Sequence, residues 1–150
     1  MTSDELSYIA GFFDGEGSIT IHENGKPSPR GKVPNHTLQV SIGNTDPRVL
    51  GWIHRNFRGS LIVRKTVKPN HRQVTQWTIR AAAALPFLEA IKPFVRMKIE
   101  QVNLAIAFQK TKYRHNTPVA HEEVVWREGQ RQLIRELNGR GATNRQKEGT

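Results

Sequence analysis

Cysteine is absent from the 150 residues. That excludes disulfides, thiolate zinc sites and cysteine nucleophiles together, and it fits a reducing compartment. Long apolar runs are missing too: nothing approaches the roughly 18–20 consecutive apolar residues of a spanning helix, so no membrane role is expected. The start, Met1-Thr2-Ser3-Asp4-Glu5, is polar and acidic. It lacks both the apolar core of a secretory signal and the Arg-rich amphipathic character of a transit peptide. The expectation is an intracellular, non-secreted protein working where it is made, in a bacterial cytoplasm or an organelle. His22, His36, His54, His71, His115 and His121 do not have zinc-site spacing. No P-loop, dinucleotide fingerprint or Ser-His-Asp pattern is present, and no internal repeat is evident.

Negative charge is scarce. Thirteen Asp and Glu face 23 Lys and Arg, for a formal net charge of +10. Such an excess calls for a polyanionic partner, with nucleic acid first and an anionic membrane surface second. Apolar residues make up 36% of the chain, low for a self-contained globule but workable if a surface is shared with a partner. The length allows one domain with a modest core. Its expected span is 1–138, followed by a Gly-rich polar tail over 139–150 that reads as disordered.

Thr2 and Glu5 form a capping-box pattern ahead of a helix over 4–14. Leu6, Ile9, Ala10 and Phe13 fall on one face, and Tyr8 and Phe12 widen the apolar sector, so this helix is expected to be buried over most of its circumference. Residues 18–24 alternate as a strand, 25–36 read as a Pro- and Gly-containing loop, and 37–43 alternate again. Asp46-Pro47 starts a helix carrying Val49, Leu50, Ile53 and Phe57. Strands follow at 60–67 and 73–80 around the hairpin Lys68-Pro69-Asn70-His71-Arg72. A short helix is expected near 82–91, interrupted early by Pro86. Another is expected over 94–111, and a last amphipathic one over 119–137.

The strands alternate, so the sheet has one apolar and one polar face. Helices cover the first. The second, with Thr20, His22, Asn24, Gln39, Arg64, Gln76, Thr78 and Arg80, stays open. This is an α/β (α+β) arrangement with a four-stranded antiparallel sheet.

The chemistry concentrates in Ile9-Ala10-Gly11-Phe12-Phe13-Asp14-Gly15-Glu16-Gly17. Gly11 and Gly15 lie four residues apart, on one side of a helix. Without side chains there, a second backbone can approach closely. Two such helices packed face to face bring two copies of Glu16 together at their ends, and paired carboxylates recruit hard cations. One motif supplies half of this arrangement, so the geometry calls for a partner.

The nine residues resemble the LAGLIDADG signature of homing endonucleases, position by position. Ile replaces the first Leu, Phe-Phe replaces Leu-Ile, Gly replaces the second Ala, and Glu replaces the second Asp. The order of elements resembles that family's αββαββα core, and Pro93-Phe94-Val95-Arg96-Met97-Lys98-Ile99-Glu100-Gln101-Val102-Asn103-Leu104 resembles the region that supplies its active-site lysine. The resemblance implies a homodimeric, often intron-encoded enzyme that cuts double-stranded DNA at a long near-palindromic site and leaves 3′ overhangs. Mg²⁺ is the implied cofactor, two or more divalent ions per dimer active site, with Mn²⁺ able to substitute. It places metal ligands at Glu16 and the Gly15 carbonyl, and an electrostatic role at Lys98. Asn44 and Arg48 fall where the family sets polar residues that orient water, although helix capping explains Asn44 equally well. The helix face of Ile9, Gly11, Phe12 and Gly15 is the implied dimer interface. DNA contacts fall on Thr20, His22, Asn24, Lys26, Arg30, Lys32, Gln39, Arg64, Lys68, Arg72, Gln76, Thr78 and Arg80, some at base edges and others at phosphates. Two alternatives share this scaffold: an RNA-binding maturase that aids intron splicing, and a non-cleaving DNA-binding regulator. Intact Glu16 and Lys98 speak for the nuclease.

Overall fold

The computed structural model describes residues 1–26, 33–65, 68–112 and 120–148, with side chains left aside at 26, 33, 34 and 140–148. Helix α1 (Ser3–Glu16) opens the chain. The Thr2 hydroxyl accepts from the Glu5 N–H at 3.2 Å while the Glu5 carboxylate accepts from the Thr2 N–H at 2.8 Å, which completes the capping box. Strands β1 (Gly17–Lys26) and β2 (Val33–Asn44) follow, then α2 (Pro47–Phe57), β3 (Ser60–Arg64) and β4 (Val74–Arg80). A 3-10 turn, Ala81–Ala83, leads into α3 (Ala84–Ile91); α4 (Ile99–Thr111) and α5 (His121–Glu148) complete the order.

The strands form one antiparallel sheet in the order β1-β2-β4-β3. Period-two alternation assigns the faces. Ile19 and Ile21, Leu38, Val40 and Ile42, and Trp77 and Ile79 share the inner face and are buried with Ile9, Ala10 and Phe13 of α1. Phe87 of α3 is the aromatic centre of this core, 4.9 Å from the Trp77 ring, 5.1 Å from Phe57 and 5.7 Å from Phe13. Fully burying side chains of this size stabilises the fold by roughly 1.5–3 kcal/mol each before entropy is counted. Pro86 falls in the first turn of α3, where no N–H is needed, so it does not interrupt that helix.

Gly59 carries a positive φ of 88°, and a Cβ there would lie 2.6 Å from the Thr78 carbonyl oxygen. Only glycine fits that approach, and the turn also presents the Arg58 carbonyl to the Trp77 indole N–H at 2.6 Å.

Several expectations are corrected. Strands β1 and β2 extend into the segment read as a loop over 25–36, because their pairing continues out to Lys26 and Val33. The described part of the third strand ends at Arg64, short of 67. Helix α4 starts at Ile99 rather than 94, because the preceding N–H groups of Arg96 and Lys98 bond to Asp14. Helix α1 buries one face, not most of its circumference: Tyr8 is 56% exposed. Helix α5 continues to Glu148, past the end at 137 expected for the last helix. Among the described residues no helix is long and apolar enough to cross a membrane.

Helix α5 caps the β1 side of the sheet. Ile134 enters the core, and the Asn138 amide donates to the Ile19 carbonyl at 2.9 Å, closing part of an open strand edge. Buried His36 meets the Glu128 carboxylate through Nε2 at 2.9 Å, and Arg131 reaches Glu128 at 2.8 Å and Glu23 at 3.8 Å. The Lys112 ammonium donates to the His36 carbonyl, and burial followed by Arg127 holds it below its usual pKa. The His36 hydrogen bond, ahead of those from Gln132 and Arg131, lowers the Glu128 carboxyl to about 2.

Candidate active site and nucleic-acid interface

The end of α1 is where one motif divides into inward and outward duties. Ile9, Ala10, Phe13 and Asp14 are buried, while Tyr8, Gly11, Gly15 and Glu16 are exposed and Phe12 is half-buried. A Cβ at Gly11 or Gly15 would meet nothing within 4 Å. Each glycine costs a helix interior roughly 1 kcal/mol relative to alanine, and no close packing among the described residues offsets that. Gly17 is the opposite case: a Cβ there would fall 2.1 Å from the Phe13 ring, so the last motif glycine serves the helix-to-strand joint of the subunit itself.

Asp14 is the hinge of the site. Its two carboxylate oxygens accept from the backbone N–H groups of Arg96, at 2.8 Å, and Lys98, at 3.0 Å. The Lys98 ammonium returns to the Asp14 carbonyl. These bonds span more than 80 residues of sequence and fix Lys98 at the C-terminal end of α1, where a cation meets the negative end of the helix dipole. Two residues further on, the Glu16 carboxylate is exposed and makes no hydrogen bond or ion pair among the described residues. A free hard-oxygen donor of this kind suits a divalent cation. The Gly15 carbonyl lies in the last turn, where no following helical N–H reaches it.

Gly17 pairs with Ile42, so Asn44 leaves the sheet at the end from which Glu16 enters it. The Asn44 side chain accepts from the Asp46 N–H at 2.8 Å and shapes the turn into α2. Asp46 caps that helix through the Arg48 N–H and pairs with the exposed Arg48 guanidinium. The Arg48 side-chain hydrogen bond is the first cause that lowers Asp46 to about 2, and Arg48 is raised mainly by Asp46. Both residues predicted to orient water are therefore engaged in the turn. Ile9, expected at the dimer interface, is fully buried in the core of the subunit, because it lies two residues from Gly11 and so points away from the face of the bare glycines.

The outward face of the sheet carries Thr20, His22 and Asn24, Gln39, Gln76 and Arg80, and Arg64, all at least partly exposed. Thr78 shares the face but is buried at 7% exposure, its backbone covered by the neighbouring Ser60. Lys68 and Arg72 flank the β3–β4 turn and are exposed. Lys26 ends β1, with its side chain outside the described residues, as are Arg30 and Lys32 entirely. Ile62, 59% exposed, joins this face between Ser60 and Arg64 and pairs with Gln76. Period two counted from Arg64 would have found it in the sequence. The clasp of Asp14 on the 96–98 segment and the Glu23-His36-Glu128-Arg131 network were not visible there.

No family model matches the sequence, and a search of curated proteins gives no match. Solved structures do match. The homing endonuclease I-CvuI, in complex with a DNA target in the presence of Mg, superposes with a TM-score of 0.56 at 16% identity over 89% of this chain and 94% of that one. The archaeal intron-encoded homing endonuclease I-Vdi141I, complexed with DNA, gives 0.55 at 20% identity over 71% and 67%. The homing endonuclease I-TnaI gives 0.53 at 22% over 70% and 71%. The four-stranded antiparallel sheet, the five helices and the motif on α1 thus give this chain the fold of the LAGLIDADG homing endonucleases.

Proposed function

We propose that the chain is one subunit of a homodimeric homing endonuclease that hydrolyses both strands of duplex DNA at a long, near-palindromic site and leaves 3′ overhangs. One observation carries the reading. The free Glu16 carboxylate ends a helix whose outward face is two bare glycines, and Asp14 ties Lys98 to that same helix end. The outward face of α1 receives the equivalent helix of a second subunit, so two Glu16 carboxylates meet beside two lysines. Glu16 and the Gly15 carbonyl hold the divalent cations, Mg²⁺ or Mn²⁺, which when bound stabilise the attacking and leaving oxygens of the phosphodiester. Lys98 neutralises charge that develops on the phosphate in the transition state. The polar sheet face reads base edges, and the peripheral Lys and Arg hold phosphates.

The test begins with selection of duplexes from a randomised library in Ca²⁺. The bound pool is then moved to Mg²⁺, with the wild type beside Glu16→Gln. The expected outcome is cutting of a near-palindromic consensus by the wild type, with Glu16→Gln binding equally but cutting at least about 100-fold more slowly, since even outer-shell partners of a metal are worth 10–100-fold. Equal cutting by Glu16→Gln would overturn the assignment. Selective binding without cutting would favour the silent regulator, and no duplex selection at all would favour an RNA-binding maturase.

A further inference from the structure

On the outward face, Arg80 is held in place rather than left to sample solvent. Its Nε donates to the Gln39 Oε1 at 2.8 Å across the β2–β4 ladder, where Gln39 and Arg80 are direct partners. The bond uses one edge of the guanidinium. The two Nη groups at its far end have no partner among the described residues, and the side chain is exposed. A free arginine loses rotamer entropy when it is immobilised on contact, and a fork fixed before binding forfeits less of it. β4 is an inner strand of the sheet, bordered by β2 and β3. Arg80 therefore stands on the sheet face itself and not on a peripheral loop.

We infer that Arg80, buttressed by Gln39, reads a guanine in each half-site. Building on the endonuclease reading, this assigns a base to a residue. The paired Nη donors match the O6 and N7 acceptors that guanine alone presents together in the major groove. Gln39 is then a positioning residue: its carbonyl oxygen is committed to Arg80, so it does not make the bidentate amide contact by which a free glutamine reads adenine. No other arginine on the outward face is seen anchored through Nε in this way among the described residues.

The experiment uses the full-length protein and the duplex selected by the wild type, with 7-deazaguanine placed at each guanine in turn to delete N7 alone. Binding is measured in Ca²⁺ over a range of salt, and far-UV circular dichroism and melting establish that each variant is folded. One guanine per half-site is expected to be sensitive in the wild type. Arg80→Ala is expected to lose the full discrimination, roughly 5- to 150-fold, and to be indifferent to 7-deazaguanine there. Arg80→Lys does not restore it, because an ammonium lacks the planar fork. Gln39→Leu keeps the shape without the acceptor and loses part of the preference, and Gln39→Glu, which still accepts, retains it. The inference is overturned if no guanine is sensitive. It is also overturned if Arg80→Ala weakens all duplexes alike with a shallower salt dependence, the signature of a phosphate contact. A wild type that selects no duplex would defeat the endonuclease reading instead.

Discussion

Gly17 and Gly11 belong to one nine-residue motif, yet they stand for two different constraints. At Gly17 a single added carbon collides with Phe13 inside the same chain. At Gly11 and Gly15 it collides with nothing. The inner half of α1 is thus explained by its own fold: Ile9, Ala10 and Phe13 pack the core, and Asp14 clasps the 96–98 segment. On the outer half Tyr8 packs on Trp52, with ring centroids 6.1 Å apart, but Gly11, Gly15 and Glu16 have no close neighbour or partner among the described residues of the subunit. Two glycines and an uncompensated carboxylate on one exposed helix face are the features that the proposed contact with a second subunit would use.

Three substitutions sharpen this contrast. Gly17→Ala should destabilise the subunit by about 1–3 kcal/mol through overpacking against Phe13, read as a lowered urea midpoint with an unchanged slope. Gly11→Ala should do the reverse in dilute, monomeric protein and stabilise it by up to about 1 kcal/mol, because alanine is the better helix former and meets open space. The same change should weaken dimerisation by light scattering, and Gly11→Leu should abolish it. If Gly11→Ala destabilised the monomer, the outer face would have a role within the subunit after all.

A smaller effect is expected at the opposite side of the molecule. The Glu128 carboxyl is lowered from 4.5 to about 2, chiefly by its bond to His36. A depressed carboxyl contributes stability that is fully present above its unfolded pKa and is lost as pH falls through the folded one. The hold of α5 on β1 and β2 should therefore weaken as pH drops from about 4.5 towards 2. Trp126, stacked on Phe108 at 6.1 Å, offers a fluorescence signal for that release. Glu128→Gln should flatten this dependence, and an unchanged acid transition would count against the latch.

Much of the fold was legible because it rests on local periodicity. The alternation in Ile19-Thr20-Ile21 and Leu38-Gln39-Val40 assigns strands and faces without any tertiary knowledge, and Asp46-Pro47 marks the start of α2. What escaped depends on distant partners. The start of α4 is set by Asp14, more than 80 residues earlier, and His36 finds Glu128 across 92 residues. The site divided in the same way. Glu16 and Lys98 stand out as motif positions, whereas the engagement of Asn44 and Arg48 in the α2 turn, the burial of Ile9 and Thr78, and the pairing of Gln39 with Arg80 all depend on register and packing.

In the proposed reading each chain holds half an active site. The most direct test of that reading is a heterodimer purified through two different tags, one subunit wild type and the other Glu16→Gln, assayed on the selected duplex in Mg²⁺. If the two carboxylates act on shared ions, the heterodimer should lose nicking of either strand as well as double-strand cutting, almost as fully as the doubly substituted dimer, while binding DNA normally. Nicking of one strand at close to the wild-type rate, as expected if each subunit cut its own strand independently, would contradict this reading.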